Sequence, residues 1–247
     1  GLTPEETLEL EELLDASRIG TEVRVRGAVH TIRDMGELSF VVLRKRDGLL
    51  QCIFEEGTTN YAVKDLREEM AVEISGVLEE DARAPHGIEI RAREVKVFGR
   101  PYEAPPLPIG KWKLNTSLEA KLNYRSTALR NVRERAKFRI QEGIVRGFRD
   151  FLYSQHFTEI HTPKIGSKGA EGGSNVFKLD YFHRPAVLAQ SPQFYKQTCV
   201  AFFDRVFEIA PVYRAEKHNS TRHLNEYIGL DFEMGFINDM HDVMAME

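Results

Sequence analysis

Arg214, Glu216, Lys217, His218, Arg222 and His223 crowd into one short stretch of VYRAEKHNSTRHLNEYIGLDFEM, residues 212–234. Acids, arginines and a basic loop together suit a polyanion that also carries a cation, such as a nucleotide with magnesium. Both ends of the stretch read as strands. Alternation puts Phe207, Ile209, Pro211 and Tyr213 on one face, and Glu208, Ala210, Val212, Arg214 and Glu216 on the other. On the second strand Ile228, Leu230, Phe232 and Met234 share a face, opposite Tyr227, Gly229, Asp231 and Glu233. One face is then an apolar wall and the other a charged platform. Its glycine, Gly229, is of the kind that lets a ligand or backbone approach closely. A solvent-exposed hairpin with paired charges would show the same composition, and such pairs add little stability.

The elements that must position these residues precede them. Ile140, Ile144, Phe148 and Leu152 recur at helical spacing, with Val132 and Ala136 upstream, and predict a long amphipathic helix ending near Ser154. FTEIHTPKI predicts a short strand stopped by Pro163, and GSKGAEGGSNVF a glycine-rich loop carrying Glu171. QSPQFYKQTCVAFF begins as a loop and becomes a helix at about Pro192, which suits a first helical turn. Further upstream, residues 20–99 are strand-rich. TEVRVRGAVHTIRD alternates Val23, Val25, Gly27 and Val29 against Arg24, Arg26, Ala28 and His30. ELSFVVLRKRDGLLQCIF is a hairpin turning at Asp47-Gly48. NYAVKDLREEM predicts a short helix, and MAVEISGVL and IEIRAREVKVF two more strands. Five strands with a helix between the third and fourth is the order of an OB-fold, a small barrel that binds single-stranded nucleic acid; another small antiparallel barrel is the alternative. Four of the ten prolines lie between Pro101 and Pro108, which predicts a stiff linker.

The totals constrain the reading further. With 247 residues, 42% of them hydrophobic, the chain can fill one large core or two ordinary ones. Its net charge of −4 means that any attraction for nucleic acid must come from local patches. Cys52 and Cys199 form no disulfide framework and match no zinc spacing, which fits a reducing, cytoplasmic setting; His218 and His223 read as polar surface and not as a metal site. No stretch reaches transmembrane length. The N-terminal GLTPEETLELEELLD reads as a short acidic helix and not as a signal peptide.

FTEIHTPKI, AEGGSNVF, LAQSPQFYKQ and DRVFEIAPVYRAEKHNSTRHLNEYIGLDFEMGF, in that order, resemble the class II aminoacyl-tRNA synthetases, specifically aspartyl enzymes of archaeal and eukaryotic type. The resemblance covers barrel, linker and half of a catalytic domain. It implies an α+β chain: an OB-fold anticodon-binding domain at 1–100, a Pro-rich hinge at 101–125, and at 126–247 the first half of a class II antiparallel-sheet catalytic domain with motifs 1 and 2. It implies ATP with magnesium, L-aspartate and tRNA as ligands, and a homodimer formed through motif 1. Arg214 would bind the α-phosphate of ATP and the substrate carboxylate, offsetting charge on phosphorus. Glu216 would accept from the adenine amino group, and Arg222, His223 and the backbone near Leu224 would hold the outer phosphates. Glu171 would pair with the α-ammonium, with Gln193 helping to position the substrate. Lys196 would pair with the side-chain carboxylate and so choose aspartate over asparagine, because a buried ammonium is badly paired by an amide.

In the barrel the resemblance assigns Phe40 to base stacking, Gln51 and Glu89 to base edges, and Arg33 to phosphate or base. LSFVVL is apolar on both faces, so core packing is the other reading of Phe40. His30, in GAVH, and Pro85, in ARAPHG, stand where strict aspartyl enzymes resemble GWVW and carry a lysine. They imply a relaxed enzyme that charges both tRNA-Asp and tRNA-Asn, through a smaller and less polar contact. The chain begins with Gly and stops at DMHDVMAME, without the family's motif 3 or the later acids that hold magnesium, so no metal ligand is expected within it and a fragment of a longer protein is. An asparaginyl enzyme, disfavoured by Lys196, and a non-catalytic RNA-binding paralogue are the alternatives.

Overall fold

Alternating valines and leucines draw the first strands into a closed barrel. The computed structural model describes residues 6–169, 175–218, 220 and 223–246. Strands β1 (Glu22–Asp34), β2 (Leu38–Arg44), β3 (Leu49–Glu55), β4 (Ala71–Glu80) and β5 (Ile88–Gly99) close in the order β1-β2-β3-β5-β4, an OB-fold topology. Val25, Val29, Val41, Leu43, Leu50 and Ile74 are completely buried inside it. The β2–β3 hairpin closes where Lys45 N–H donates to the Gly48 carbonyl at 2.8 Å. The short helix α1 (Leu10–Leu13) adds Leu10 and Leu13 to this core.

The helix expected between the third and fourth strands is only a single 3-10 turn, Val63–Asp65. Leu66 and Met70 are drawn into the barrel core, and Glu69 takes φ 71°, where a helix cannot continue. Its N–H donates to the Val29 carbonyl at 2.7 Å, so the backbone pairs with β1 instead of with itself.

The chain divides into two compact units, Gly1–Phe138 and Arg139–Glu247. The proline-rich stretch folds with the first of these. Leu107, Ile109 and Leu114 bury against Ala128, beside the short helices α2 (Leu118–Asn123) and α3 (Arg125–Ala128). Fully buried Asn131 ties this segment down: its amide donates to the carbonyls of Ile109 at 2.9 Å and Lys111 at 2.5 Å. The same side chain accepts from the N–H groups of Arg133 and Glu134, which caps helix α4 (Val132–Ser154).

In the second unit, β6 (Thr158–Glu159), β7 (Ile165–Gly166), β8 (Lys178–Tyr181) and β9 (Arg184–Leu188) precede helix α5 (Gln193–Phe203). The long strands β10 (Arg205–Tyr213) and β11 (Glu226–Met234) and the helix α6 (Met240–Met244) follow. One sheet runs β11-β10-β6, with β10 antiparallel to β11 and parallel to β6; the other runs β7-β9-β8. The register pairs Phe207 with Phe232 and Ile209 with Leu230, as strand alternation requires. Phe207 and Phe157 pack with Leu152, Phe148, Ile209, Phe232 and Met234. The α4 stripe read as one buried face therefore splits. Phe148 and Leu152 meet the sheet, whereas Ile140 and Ile144 remain 64% and 57% exposed.

Candidate functional site

The second unit carries the charged platform. The β10–β11 register sets Glu208 opposite Asp231 and Ala210 opposite Gly229. α5 lies over this face and contributes Lys196, a fully helical residue only 5% exposed. Its ammonium donates to Asp231 Oδ1 at 3.0 Å and stands 3.5 Å from Glu233 Oε2. One ammonium donor is thus taken by Asp231, and Glu233 of the same strand adds a longer ion pair. Gly229 makes room for this pair: a Cβ there would meet Asp231 Oδ2 at 2.9 Å and Val212 Cγ1 at 3.5 Å. The close approach foreseen at this glycine is therefore, in the folded chain, that of a carboxylate from its own strand.

Next to that pair, Glu208 is 1% exposed and pairs through Oε1 with Lys164, whose ammonium also donates to Thr162 Oγ1 at 2.9 Å. Across the face, Glu208 and Asp231 lie side by side, and each carboxylate has its own ammonium, Lys164 and Lys196 respectively.

Arg214 follows β10 directly. Its N–H donates to the Asn225 carbonyl at 2.9 Å, and the Asn225 amide, turned to satisfy both, donates to the carbonyls of Arg214 and Glu216 at 2.9 Å each. Asn225 therefore staples the two arms where the strands diverge into the basic loop. Glu216 Oε2 lies 3.9 Å from His223 Nε2, and His223 Nδ1 is 2.7 Å from Ser220 Oγ. Leu224 is 57% exposed beside them. Gln193 opens α5, one turn before Lys196, with its N–H donated to Ser191 Oγ at 3.3 Å. Glu171 and Arg222 lie outside the described residues.

Four residues that the sequence reading left without a role help to build this site. Asp231 and Glu233 hold Lys196, and alternation already put them on the charged face. Asn225 sets the loop, with no signal beyond its place between two strands. Buried Gln190 also takes part: its amide donates to the Asn175 carbonyl at 3.3 Å, and a Cβ at Gly169 would meet its Oε1 at 2.9 Å. It thus touches both residues that flank 170–174. Among the described residues, no three His, Cys, Asp or Glu side chains gather as a metal-binding group.

The first unit carries the second candidate surface. Phe40 lies outside the barrel core, half-buried, while its neighbours Val41 and Ser39 point inward. The Arg33 guanidinium sits 4.6 Å from the Phe40 ring centroid, and β1–β2 register pairs the two residues. Gln51 pairs with Glu89 in register, and its amide donates to Glu89 Oε2 at 2.8 Å; Glu89 itself is only 4% exposed.

His30 departs from the alternation read in the sequence. A bulge between Val29 and Thr31 turns it inward, to 1% exposure. Its Nδ1 lies 3.3 Å from Arg44 Nη1, so the ring does not present itself to a base as the direct contact envisaged. Arg44 also clamps Glu69 with two bonds, at 2.6 and 3.0 Å, and Arg130 adds a third at 2.6 Å. Pro85 begins the 3-10 turn Pro85–Gly87, partly buried.

Burial, reinforced by the Arg44 charge, pushes the His30 pKa down to about 4. Burial would raise the Glu69 carboxyl, but the hydrogen bonds from Arg44 and Arg130 prevail and hold it below its usual value. A histidine whose folded pKa is depressed is protonated more readily in the unfolded chain. Its contribution is complete above pH 6.5 and is lost as pH falls towards 4, by up to roughly 3 kcal/mol. Thermal melts between pH 7 and 4 are expected to show this loss, and a flatter profile in His30→Gln. Equal pH slopes in the two proteins would contradict it.

A closed five-stranded barrel with a ringed outer face, followed by a charged antiparallel platform under a helix, defines a class II tRNA synthetase architecture. Residues 117–247 match the model for tRNA synthetases class II (D, K and N), and residues 23–98 match the OB-fold nucleic acid binding domain. The chain belongs to this class II synthetase family. It is 46% identical over 228 residues to the aspartate–tRNA(Asp/Asn) ligase of Deinococcus radiodurans, covering 92% of this chain and 51% of that protein. It is 44% identical over 231 residues to the enzyme of the same name from Thermus thermophilus, covering 94% and 53%. Among solved structures, asparaginyl-tRNA synthetase of Pyrococcus horikoshii with asparaginyl-adenylate superposes with a TM-score of 0.87 at 28% identity, over 97% of this chain and 55% of that one. Aspartyl-tRNA synthetase of Entamoeba histolytica gives 0.78 at 29%, over 99% and 53%. The chain spans about half the length of the curated relatives it matches. No helix among the described residues is long and apolar enough to cross a membrane.

Proposed function

We propose that the protein to which this chain belongs ligates L-aspartate to tRNA-Asp and tRNA-Asn, through an aspartyl-adenylate made from ATP. The observation that carries the amino-acid choice is the buried Lys196 ammonium, fixed by Asp231 and Glu233 on the charged platform. A lysine held this way keeps its direction, and its remaining donors suit the side-chain carboxylate of aspartate. An amide there would leave the ammonium with a poorer acceptor.

In this reading Arg214 spans the α-phosphate and the attacking carboxylate, and Glu216 accepts from the adenine amino group. His223, Arg222 and the backbone near Leu224 hold the outer phosphates. Glu171 and Gln193 position the α-ammonium. Catalysis rests on positioning and on charge stabilisation, with no nucleophilic side chain. Magnesium accompanies the nucleotide and offsets phosphate charge. The uncovered Ile140–Ile144 stripe supports a homodimer through α4, and a cytoplasmic setting suits the reduced cysteines. The test of amino-acid choice is pyrophosphate exchange by the full-length protein. Exchange driven by aspartate is expected; exchange driven by asparagine alone would favour the asparaginyl alternative.

For the barrel, the outward Phe40 supports base stacking, with Gln51, Glu89 and Arg33 around it. His30, being inside, would act on tRNA choice by setting Arg44, with Pro85 shaping the neighbouring turn. Stacking is worth about 1–3 kcal/mol per base. Phe40→Ala is therefore expected to weaken tRNA binding by roughly 10- to 100-fold and to leave adenylate formation unchanged. Unchanged tRNA affinity in a binding titration would exclude Phe40 from the contact.

A further inference from the structure

The barrel unit holds a second cavity that the base-reading face does not use. It measures about 480 Å³ and is lined by Tyr61, Lys64, Asp65, Arg67, Arg100 and Pro101. None of Arg33, Phe40, Gln51 or Glu89 takes part in it. We propose that this pocket binds a phosphodiester of the bound RNA backbone, a proposal that rests on reading the barrel as RNA-binding.

Three cations line one opening against a single acid, Asp65. Among the described residues, no carboxylate forms an ion pair with Lys64, Arg67 or Arg100. Elsewhere on the barrel several arginines are neutralised: Arg26 by Glu73, Arg83 by Asp81, and Arg91 by Glu55 and Glu79. In a chain of net charge −4, three grouped cations against one acid make a local positive field. An oxyanion relieves their mutual repulsion and accepts from all three.

The pocket also has a fixed wall. Arg100 Nη2 donates to the Tyr61 hydroxyl at 2.9 Å, and the Tyr61 ring packs against the barrel core. The hydroxyl keeps its own proton for a phosphate oxygen.

Inorganic phosphate offers the same chemistry as a backbone phosphate. The match of residues 23–98 to the OB-fold nucleic acid binding domain favours the polymer. The adjoining cavity of about 640 Å³ that shares Tyr61 and Lys64 is lined by Asp34, Glu37, Glu55 and Glu56 and offers a phosphate no such site. Contacts to backbone phosphates position RNA without reading its sequence.

The test is tRNA binding to the full-length protein over a salt series, comparing the unaltered protein with the triple variant Lys64→Ala/Arg67→Ala/Arg100→Ala. All three side chains are exposed, so folding is expected to survive. Each phosphate contact contributes about 0.7–0.9 to the slope of log affinity against log salt. The variant is expected to bind about 10-fold more weakly near 0.1 M salt, with a slope shallower by roughly 0.7–0.9. The loss should be equal for tRNA-Asp and an unrelated tRNA, with adenylate formation intact. Arg67→Lys, which keeps the charge, should keep the slope. An unchanged affinity and slope in the triple variant, with the unaltered protein binding normally, would overturn the pocket and leave the barrel reading standing. Calorimetry with inorganic phosphate separates the sources: phosphate binding lost in the variant while tRNA binding is untouched would overturn the backbone assignment. Failure of the unaltered protein to bind tRNA would overturn both readings.

Discussion

Arg214→Ala in the full-length protein is expected to slow aspartyl-adenylate formation by roughly 10²–10³-fold or more, as removal of a donor aimed at developing charge does elsewhere. The arginine leaves β10 where Asn225 fixes its backbone from both sides. Truncation should therefore remove the guanidinium without moving the chain, and melting should barely change. Arg214→Lys keeps a charge but loses the planar fork that can span two oxyanions, so it should recover only part of the rate. Near-normal pyrophosphate exchange by Arg214→Ala would show that its role is assigned wrongly.

The second large effect is expected at Lys196. Lys196→Met removes the ammonium between Asp231 and Glu233, leaving two carboxylates facing each other with Glu208 nearby. Breaking a buried pair typically costs about 3–5 kcal/mol; here both acids keep partial exposure, so roughly 1–3 kcal/mol is expected. Aspartate-dependent exchange should also fall by several orders of magnitude, since the pocket loses the cation proposed for the substrate side chain. The two losses can be separated. Adding Asp231→Asn removes half of the stranded charge and should restore much of the stability with none of the activity. Aspartate activation by that double variant would show that Lys196 is only a structural ion pair.

Much of this was legible in the residues. Period-two alternation located the barrel strands and sorted β10 and β11 into an apolar and a charged face, because each strand has one wet and one dry side. Period alone did not show who covers a face: Ile140 and Ile144 continue the stripe of Phe148 and Leu152, yet only the latter meet Phe207. Nor does it survive a bulge, which is why His30 was placed outside and lies inside. The 63–70 segment has apolar spacing that suits a helix, but Glu69 gives its N–H to Val29 and turns the chain out of helical dihedrals. In the catalytic half, the charged face marked Arg214, and only the family resemblance marked Lys196. The partners that aim them, Asp231, Glu233 and Asn225, follow from cross-strand register and loop closure, which one sequence does not state.

The most direct measurement is attachment of labelled aspartate by the full-length protein to purified tRNA-Asp and tRNA-Asn, assayed separately. Charging of both is the expected result. Charging of tRNA-Asp alone would keep the aspartate ligase and remove the relaxed choice attributed to His30 and Pro85. Charging of neither would contradict the proposed function and leave an RNA-binding barrel and a charged platform without ligase activity.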